Sequence, residues 1–225
     1  VNNSTLHFGA YLNDKLEGVM SFGSPLDKRK VLPLVSGTIW TGMLELNRMA
    51  FSDRLPRNSE SRCMAVAFRL IKKHYPHIEW ILSFSDGCQC GDGTIYRASG
   101  FVLTSIKKNN SIWRAPTGES FAETSLRPEI GGSAAIKKAE AISRTTMTKG
   151  AHLAASGGKS SMQRFKDAGW KPIEGYQLRY IYFLNPEAKA RLTVPIIPFS
   201  KIDEMGAGMY KGESIKRDTK ATTSD

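Results

Sequence analysis

Residues 43–86 read MLELNRMAFSDRLPRNSESRCMAVAFRLIKKHYPHIEWILSFSD, and this stretch decides the fold. Its first part, Met43 to Phe51, alternates apolar and polar residues as a half-buried strand does, which places Glu45, Asn47 and Arg48 near a sheet face or strand end. From Ser59 the apolar residues Met64, Val66, Ala67, Leu70 and Ile71 recur at helical spacing. Asn58 or Ser59 serves as N-cap, and Lys72, Lys73 and His74 occupy the last turn, where positive charge meets the negative end of the helix dipole. Pro76 ends that helix. Trp80 to Ser85 is a short β-rich run that Asp86-Gly87 stops. The segment is therefore a strand, a helix and a second strand.

Working outward, His7 to Leu12 and Leu16 to Gly23 are two strands joined by the turn residues Asn13-Asp14, a hairpin. On the other side come a Gly-rich loop, a short helix around Tyr96-Arg97-Ala98, a Gly100 C-cap and the strand Phe101 to Ile106. The order β-β-β-α-β-α-β predicts an α/β protein whose mixed sheet has flanking helices. Residues 107–169 differ: a hairpin around Pro116-Thr117-Gly118 leads to Gly131-Gly132 and a stretch rich in Ala, Ser, Thr and Lys with weak periodicity, read as a basic, partly mobile insertion. A short helix, Met162 to Gly169, precedes the strongest strand signal of the chain, Tyr176 to Leu184. Residues 1–106 are thus expected to form the first part of a core, 170–210 to complete it, and the polar stretch 211–225 to be a disordered tail. The Ala-x-Gly-aromatic-strand pattern of residues 98–103 returns loosely at 168–183, too faintly to count as a repeat.

The 225 residues carry 32 Lys+Arg against 21 Asp+Glu, a formal charge of +11. Residues 106–191 hold 15 basic and 7 acidic groups, so most of the excess, +8, sits in the middle. Such a balance points to a polyanionic partner. No run approaches the ~20 apolar residues of a membrane span, and no secretion signal heads the chain. The first residue is Val1 rather than Met, so the start of translation is expected upstream. Cys63, Cys88 and Cys90 are an odd, sparse set, which argues for a reducing, cytoplasmic setting over a disulfide framework.

Three places carry candidate chemistry. Arg54, Arg57, Asn58, Ser59, Ser61 and Arg62 surround a helix start, where free N–H groups, the dipole and guanidinium groups hold a phosphate. The same residues also suit an N-capped loop with solvated arginines. Asp86, at the C-terminal end of a strand and next to Ser85, lies where open α/β sheets place ligands and is a candidate general base. The competing reading is an Asx-turn that ends the strand. Tyr96 offers a phenol for proton donation or base stacking, or else a core ring. Cys88 and Cys90, with His74 and His77, lack the paired spacing of a zinc site, so no metal is expected.

With these residues in place, the chain resembles the Mom family of phage DNA-modification proteins, whose fold is similar to the GCN5-related N-acetyltransferases. The resemblance rests on LELNRMAFSDRLPRNSESR (44–62), SFSDGCQCGDGTIYRASGF (83–101) and QLRYIYFLNP (177–186). It covers roughly residues 7–106 and 170–212 and leaves the basic middle unexplained. It implies an enzyme of a phage-infected bacterial host that transfers a carbamoylmethyl group to adenine N6 in double-stranded DNA, protecting that DNA from restriction. The positions that carry this over are Arg48, Ser85, Asp86 and Tyr96.

Two departures qualify the implication. Family members carry a His-Tyr pair upstream of the first hairpin, and this chain begins after the place where it would lie. Acetyltransferases cradle coenzyme A with a Gly-containing loop, whereas Arg57 to Arg62 has no glycine. That leaves the donor open between acetyl-coenzyme A and another phosphate-bearing small molecule or carrier. The alternatives are a GCN5-like N-acetyltransferase acting on a small amine or peptide, and a non-catalytic basic DNA-binding phage protein.

Overall fold

The computed structural model describes residues 3–88, 90–126, 133–146, 161–210 and 213–215. The strands are β1 (Ser4–Leu12), β2 (Lys15–Gly23), β3 (Met43–Phe51), β4 (Trp80–Asp86), β5 (Val102–Arg114), β6 (Ser120–Ala122), β7 (Lys171–Phe183), β8 (Met209–Tyr210) and β9 (Glu213–Ser214). The α-helices are α1 (Lys28–Val31), α2 (Ser59–His74), α3 (Thr94–Ala98), α4 (Glu123–Leu126), α5 (Ser133–Thr146), α6 (Ser161–Asp167) and α7 (Ser200–Glu204). The fold is mixed α/β. A seven-stranded sheet has the order β1-β2-β3-β4-β7-β5-β6, and β8 pairs with β9 separately. Pairing is antiparallel for β1–β2, β2–β3 and β5–β6 and parallel for β3–β4. No helix among the described residues is long and apolar enough to cross a membrane.

The chain divides into two compact units, 1–85 with 92–106 and 177–206, and 86–91 with 107–176 and 207–225. One division between the units falls at 106/107 and the next at 176/177.

In the first unit, Asn13 and Asp14 both take positive φ, 50° and 60°, the turn geometry whose twist matches that of a hairpin. The segment 43–86 folds as a β-α-β unit. Parallel strands cannot be joined by a tight turn, and α2 makes the crossover from β3 to β4. The helix buries Met64, Ala67, Phe68 and Ile71. Phe68 packs against Phe22, Phe101 and Tyr182, with ring centroids 6.3, 5.8 and 4.4 Å away. A further cluster, Leu34, Val35, Met43, Trp80, Leu82, Ile181 and Ala188, packs with Val31, Leu32, Phe84 and Phe183.

In the second unit, the described part of residues 107–176 has a hydrophobic cluster of its own: Trp113, Ala115, Leu126, Ala139, Phe165, Ala168 and Trp170. The Trp170 indole donates to Ser143 Oγ at 3.1 Å, and that hydroxyl donates to Ala139 O at 2.9 Å, whereas the buried Trp113 indole N–H has no partner among the described residues. The strand expected over 101–106 runs on to Arg114, because Ile112 and Trp113 supply buried residues beyond the polar Lys107 to Asn110. The hairpin expected at Pro116-Thr117-Gly118 is present, with Gly118 at φ 93°. The stretches 127–132 and 147–160, on which the expected mobility chiefly falls, lie outside the described residues, as do 211–212 and 216–225 of the expected disordered tail. Residues 213–214 pair as β9. Gly100 and Gly169, at φ 83° and 84°, each precede a buried aromatic residue and a strand, so the faint echo in the sequence is the same local turn used twice.

Candidate active site

The parallel pairing of β3 with β4 is short: Met43↔Trp80, Leu44↔Ile81 and Glu45↔Leu82. Beyond Glu45 and Leu82 the two strands no longer pair, although β3 continues to Phe51 and β4 to Asp86. The sheet of the first unit therefore opens at the C-terminal ends of two parallel strands, the end at which open α/β sheets take ligands.

A bulge shapes the β3 side of this opening. Ser21 pairs with Arg48 and Phe22 with Leu46, so Asn47 is an extra residue on β3. Side chains three apart on an unbroken strand face opposite sides of the sheet. With the extra residue, Arg48 comes to the face that carries Glu45. Asn47 itself is clipped: Ser4 Oγ donates to its Oδ1 at 3.1 Å, and its Nδ2 donates to Ser24 O at 3.5 Å. On the same face, His7 pairs across from Ser21, with Nδ1 and Oγ 2.8 Å apart. Arg48 is exposed and has no hydrogen-bond or ion-pair partner among the described residues.

Glu45 is the titratable group at the point of parting. Its lateral neighbours are Gly23 on β2 and Leu82 on β4. The space a Gly23 side chain would fill is taken by the backbone of Asn3 and Ser4, which helps to shield that side of the sheet. Glu45 has no hydrogen-bond or ion-pair partner among the described residues. Burial raises its carboxyl from the usual 4.5 to about 7, because the charged form loses water and gains nothing in return. Beyond the last β3–β4 pair, Ser83 on β4 has a buried hydroxyl without a hydrogen-bond partner among the described residues.

The arginine-rich turn leads from β3 to α2. Asn58 is the N-cap residue with φ 67°, and its side chain makes no cap hydrogen bond. Asparagine tolerates this left-handed conformation better than most residues, so the turn is made without a glycine. Arg57 and Arg62 are exposed and unpaired among the described residues. Arg54 differs from the expectation, because its guanidinium pairs with Glu17 at 3.1 Å. The Ser59 and Ser61 hydroxyls donate to Pro56 O and Asn58 O, at 2.6 and 3.1 Å, and close the turn.

Ser85 is buried at 2% exposure. Tyr96, on α3, is half-buried, with its ring 5.2 Å from Phe101 and 5.3 Å from Tyr180. The start of α3 is pinned by Asp92, which is 2% exposed and accepts from Thr94 Oγ1 at 2.9 Å and Arg97 at 3.1 Å. Tyr180 donates its hydroxyl to Asp92 O at 2.5 Å, and burial raises its phenol above the ordinary range. Sequence reading passed over Asp92. The signal was an Asp two residues before Thr94 and five before Arg97, at the entry to a helix.

Arg48, Ser85, Tyr96 and the turn Arg54 to Arg62 belong to the first unit, and Asp86 belongs to the second. There Asp86 Oδ1 accepts from Cys88 N at 2.9 Å, the Asx-turn that sequence allowed, and Oδ2 accepts from Asn109 Nδ2 at 2.7 Å. Cys88 is buried, and its thiol is pushed up to about 11 by desolvation and the neighbouring Asp86. Among the described residues no group of three or more His, Cys, Asp or Glu side chains is placed to hold a metal ion.

The family model described as the Mom protein family matches residues 1–201. The methylcarbamoylase Mom of Escherichia phage Mu is 34% identical over 197 residues, which cover 87% of this chain and 70% of that protein.

Proposed function

This chain belongs to the Mom family, and from that premise we propose that it is a phage DNA-modification transferase placing a carbamoylmethyl group on adenine N6. The observation that carries the reading is the opening between β3 and β4 beyond Glu45 and Leu82, with Arg57 and Arg62 beside the start of α2. The parallel crossover and the parting strands also support an acetyltransferase-like core.

An exocyclic adenine amine is a weak nucleophile, because its lone pair is delocalised into the ring. In a duplex it is also paired, so the base must be turned out into a pocket. Arg48, exposed and unpaired, is suited to an anionic group of donor or DNA. Arg57, Arg62 and the α2 start suit the phosphates of a donor, and the orphaned Ser83 hydroxyl suits a polar atom of its chain. Coenzyme A and other phosphate-bearing donors both satisfy these groups; a bound donor supplies the activated carbon. Tyr96 is assigned to the acceptor base. Asp86 is assigned to the N6 proton as general base. The basic residues of 107–176 neutralise DNA phosphates.

The test is mass spectrometry of nucleosides from the DNA of bacteria expressing the protein. Modified deoxyadenosine is expected with the wild type and absent with Asp86→Asn. Unmodified DNA from cells making soluble wild-type protein refutes the reading.

A further inference from the structure

Glu45 has no part in the roles assigned so far, and its placement is unusual. It is an unpartnered carboxyl on the last residue pair before the sheet opens. Its neighbours across the strands are Gly23 and Leu82. A carboxyl that merely tolerates burial is normally met by a donor. This one meets none, while Arg48, brought to its face by the Asn47 bulge, extends from the same strand.

We propose that Glu45 is the proton donor of the transfer, delivering its proton to the leaving group of the carbamoylmethyl donor in the opening between β3 and β4. The proposal rests on the group-transfer reading above. In the step, adenine N6 forms a bond to the donor's methylene carbon as the bond from that carbon to the leaving heteroatom breaks. The electron pair departs on the heteroatom, which takes the Glu45 proton, and N6 gives up its own proton to the general base of the transfer. Glu45 regains a proton from water before the next turnover.

The surroundings favour a neutral acid. Among the charged groups on its face and in the layer packed against it are Arg48 on its own strand, and Asp27, Lys28, Arg29 and Lys30 around α1. Glu187, Lys189 and Arg191 follow β7. Asp27 and Lys30 pair with each other, as do Arg191 and Glu79. β1 brings His7 to that face, β2 brings Val19, Ser21 and Gly23, and β4 brings Trp80, Leu82 and Phe84 and ends at Asp86. Burial alone accounts for the raised carboxyl, and none of these charges offsets it. A desolvated carboxyl held protonated near neutral pH is the form a general acid needs.

The experiment uses the purified full chain, adenine-containing duplex DNA and a small-molecule extract of the bacterial host as donor source. Modified deoxyadenosine is measured by mass spectrometry from roughly pH 6 to pH 9, spanning the neutral region where such an acid works. The wild-type rate is expected to fall on the alkaline side of about 7 as Glu45 ionises. Glu45→Gln should lower the rate by about 10²- to 10⁴-fold and remove that alkaline limb, with DNA binding unchanged. Glu45→Asp should keep the limb at a reduced rate.

A Glu45→Gln variant with the wild-type rate and pH profile overturns the proposal alone. No modified adenine from the wild type at any pH overturns the transfer reading beneath it. Should the Gln variant fail to fold, a carbon-13 titration of the wild-type Glu45 carboxyl decides: a midpoint near the ordinary ~4.3 overturns the proposal.

Discussion

Replacing Glu45 by Gln should make the protein more stable, and only above a particular pH. Burial lifts the Glu45 carboxyl from 4.5 to about 7 in the folded chain. In the unfolded chain it ionises at its ordinary value, about 4.3. Below that value the carboxyl is neutral in both states and costs nothing. Between the two values the unfolded state sheds a proton that the folded state keeps, so stability declines as pH rises. Above about 7 the folded protein carries the full penalty of a half-buried charge. At 1.36 kcal/mol per pKa unit the shift corresponds to about 3–4 kcal/mol, and the partial exposure of the side chain reduces this to about 2 kcal/mol. Gln has nearly the same shape and does not ionise. Urea unfolding of the two proteins at pH 4 and pH 8 should therefore give similar midpoints at the lower pH, with the variant ahead by about 2 kcal/mol at the higher one. An equal difference at both values would show that the substitution acts through packing and that the raised carboxyl is not a property of the folded chain.

Removing Asp92 strands Arg97 and frees the start of α3, so Asp92→Ala should cost about 3–5 kcal/mol, the penalty of an orphaned buried charge, measured by urea denaturation; a loss below 1 kcal/mol would refute the pinning role. Trp170→Ala empties the centre of the second unit's cluster and should cost about 3–5 kcal/mol in the same assay. Arg57→Ala should lower modification while leaving the log–log salt slope of DNA binding unchanged if the bound anion is the donor. The slope should fall by about 0.9 if the anion is a DNA phosphate. Modification at the wild-type level together with an unchanged slope would leave Arg57 without a role.

Much of the first unit was legible because it follows local rules. Alternation announced β3, the 3.6-residue period with Pro76 bounded α2, and Asn13-Asp14 supplied the positive φ of the hairpin. The bulge was not legible. Asn47 sits in a run that alternates well, and the extra residue shows only when β2 and β3 are laid side by side. The hydrophobic cluster of the second unit was hidden for a related reason. Trp113, Phe121, Leu126, Phe165 and Trp170 are far apart in the chain and carry no common period, so their coming together is a tertiary fact. At the candidate site, sequence singled out Arg48, Tyr96 and the arginine turn as candidates. It did not foresee that Glu17 claims Arg54. Nor could it show that Glu45 lacks a partner, since the absence of a neighbour is visible only in three dimensions.

The Asn47 bulge makes β3 a strand with a phase slip. Which side of the sheet Arg48 occupies is set by the parity of the residues counted from Glu45, and the identity of those residues matters less. Substitutions between the two positions leave the count intact, whereas loss of one residue reverses the address of everything downstream. Closing the slip costs the strand little, because its ladder would become more regular, yet it carries the guanidinium away from the carboxyl's side. In this segment an insertion or deletion is the more consequential kind of mutation. A β3 shortened by one residue can be well folded and still have its two most telling side chains back to back.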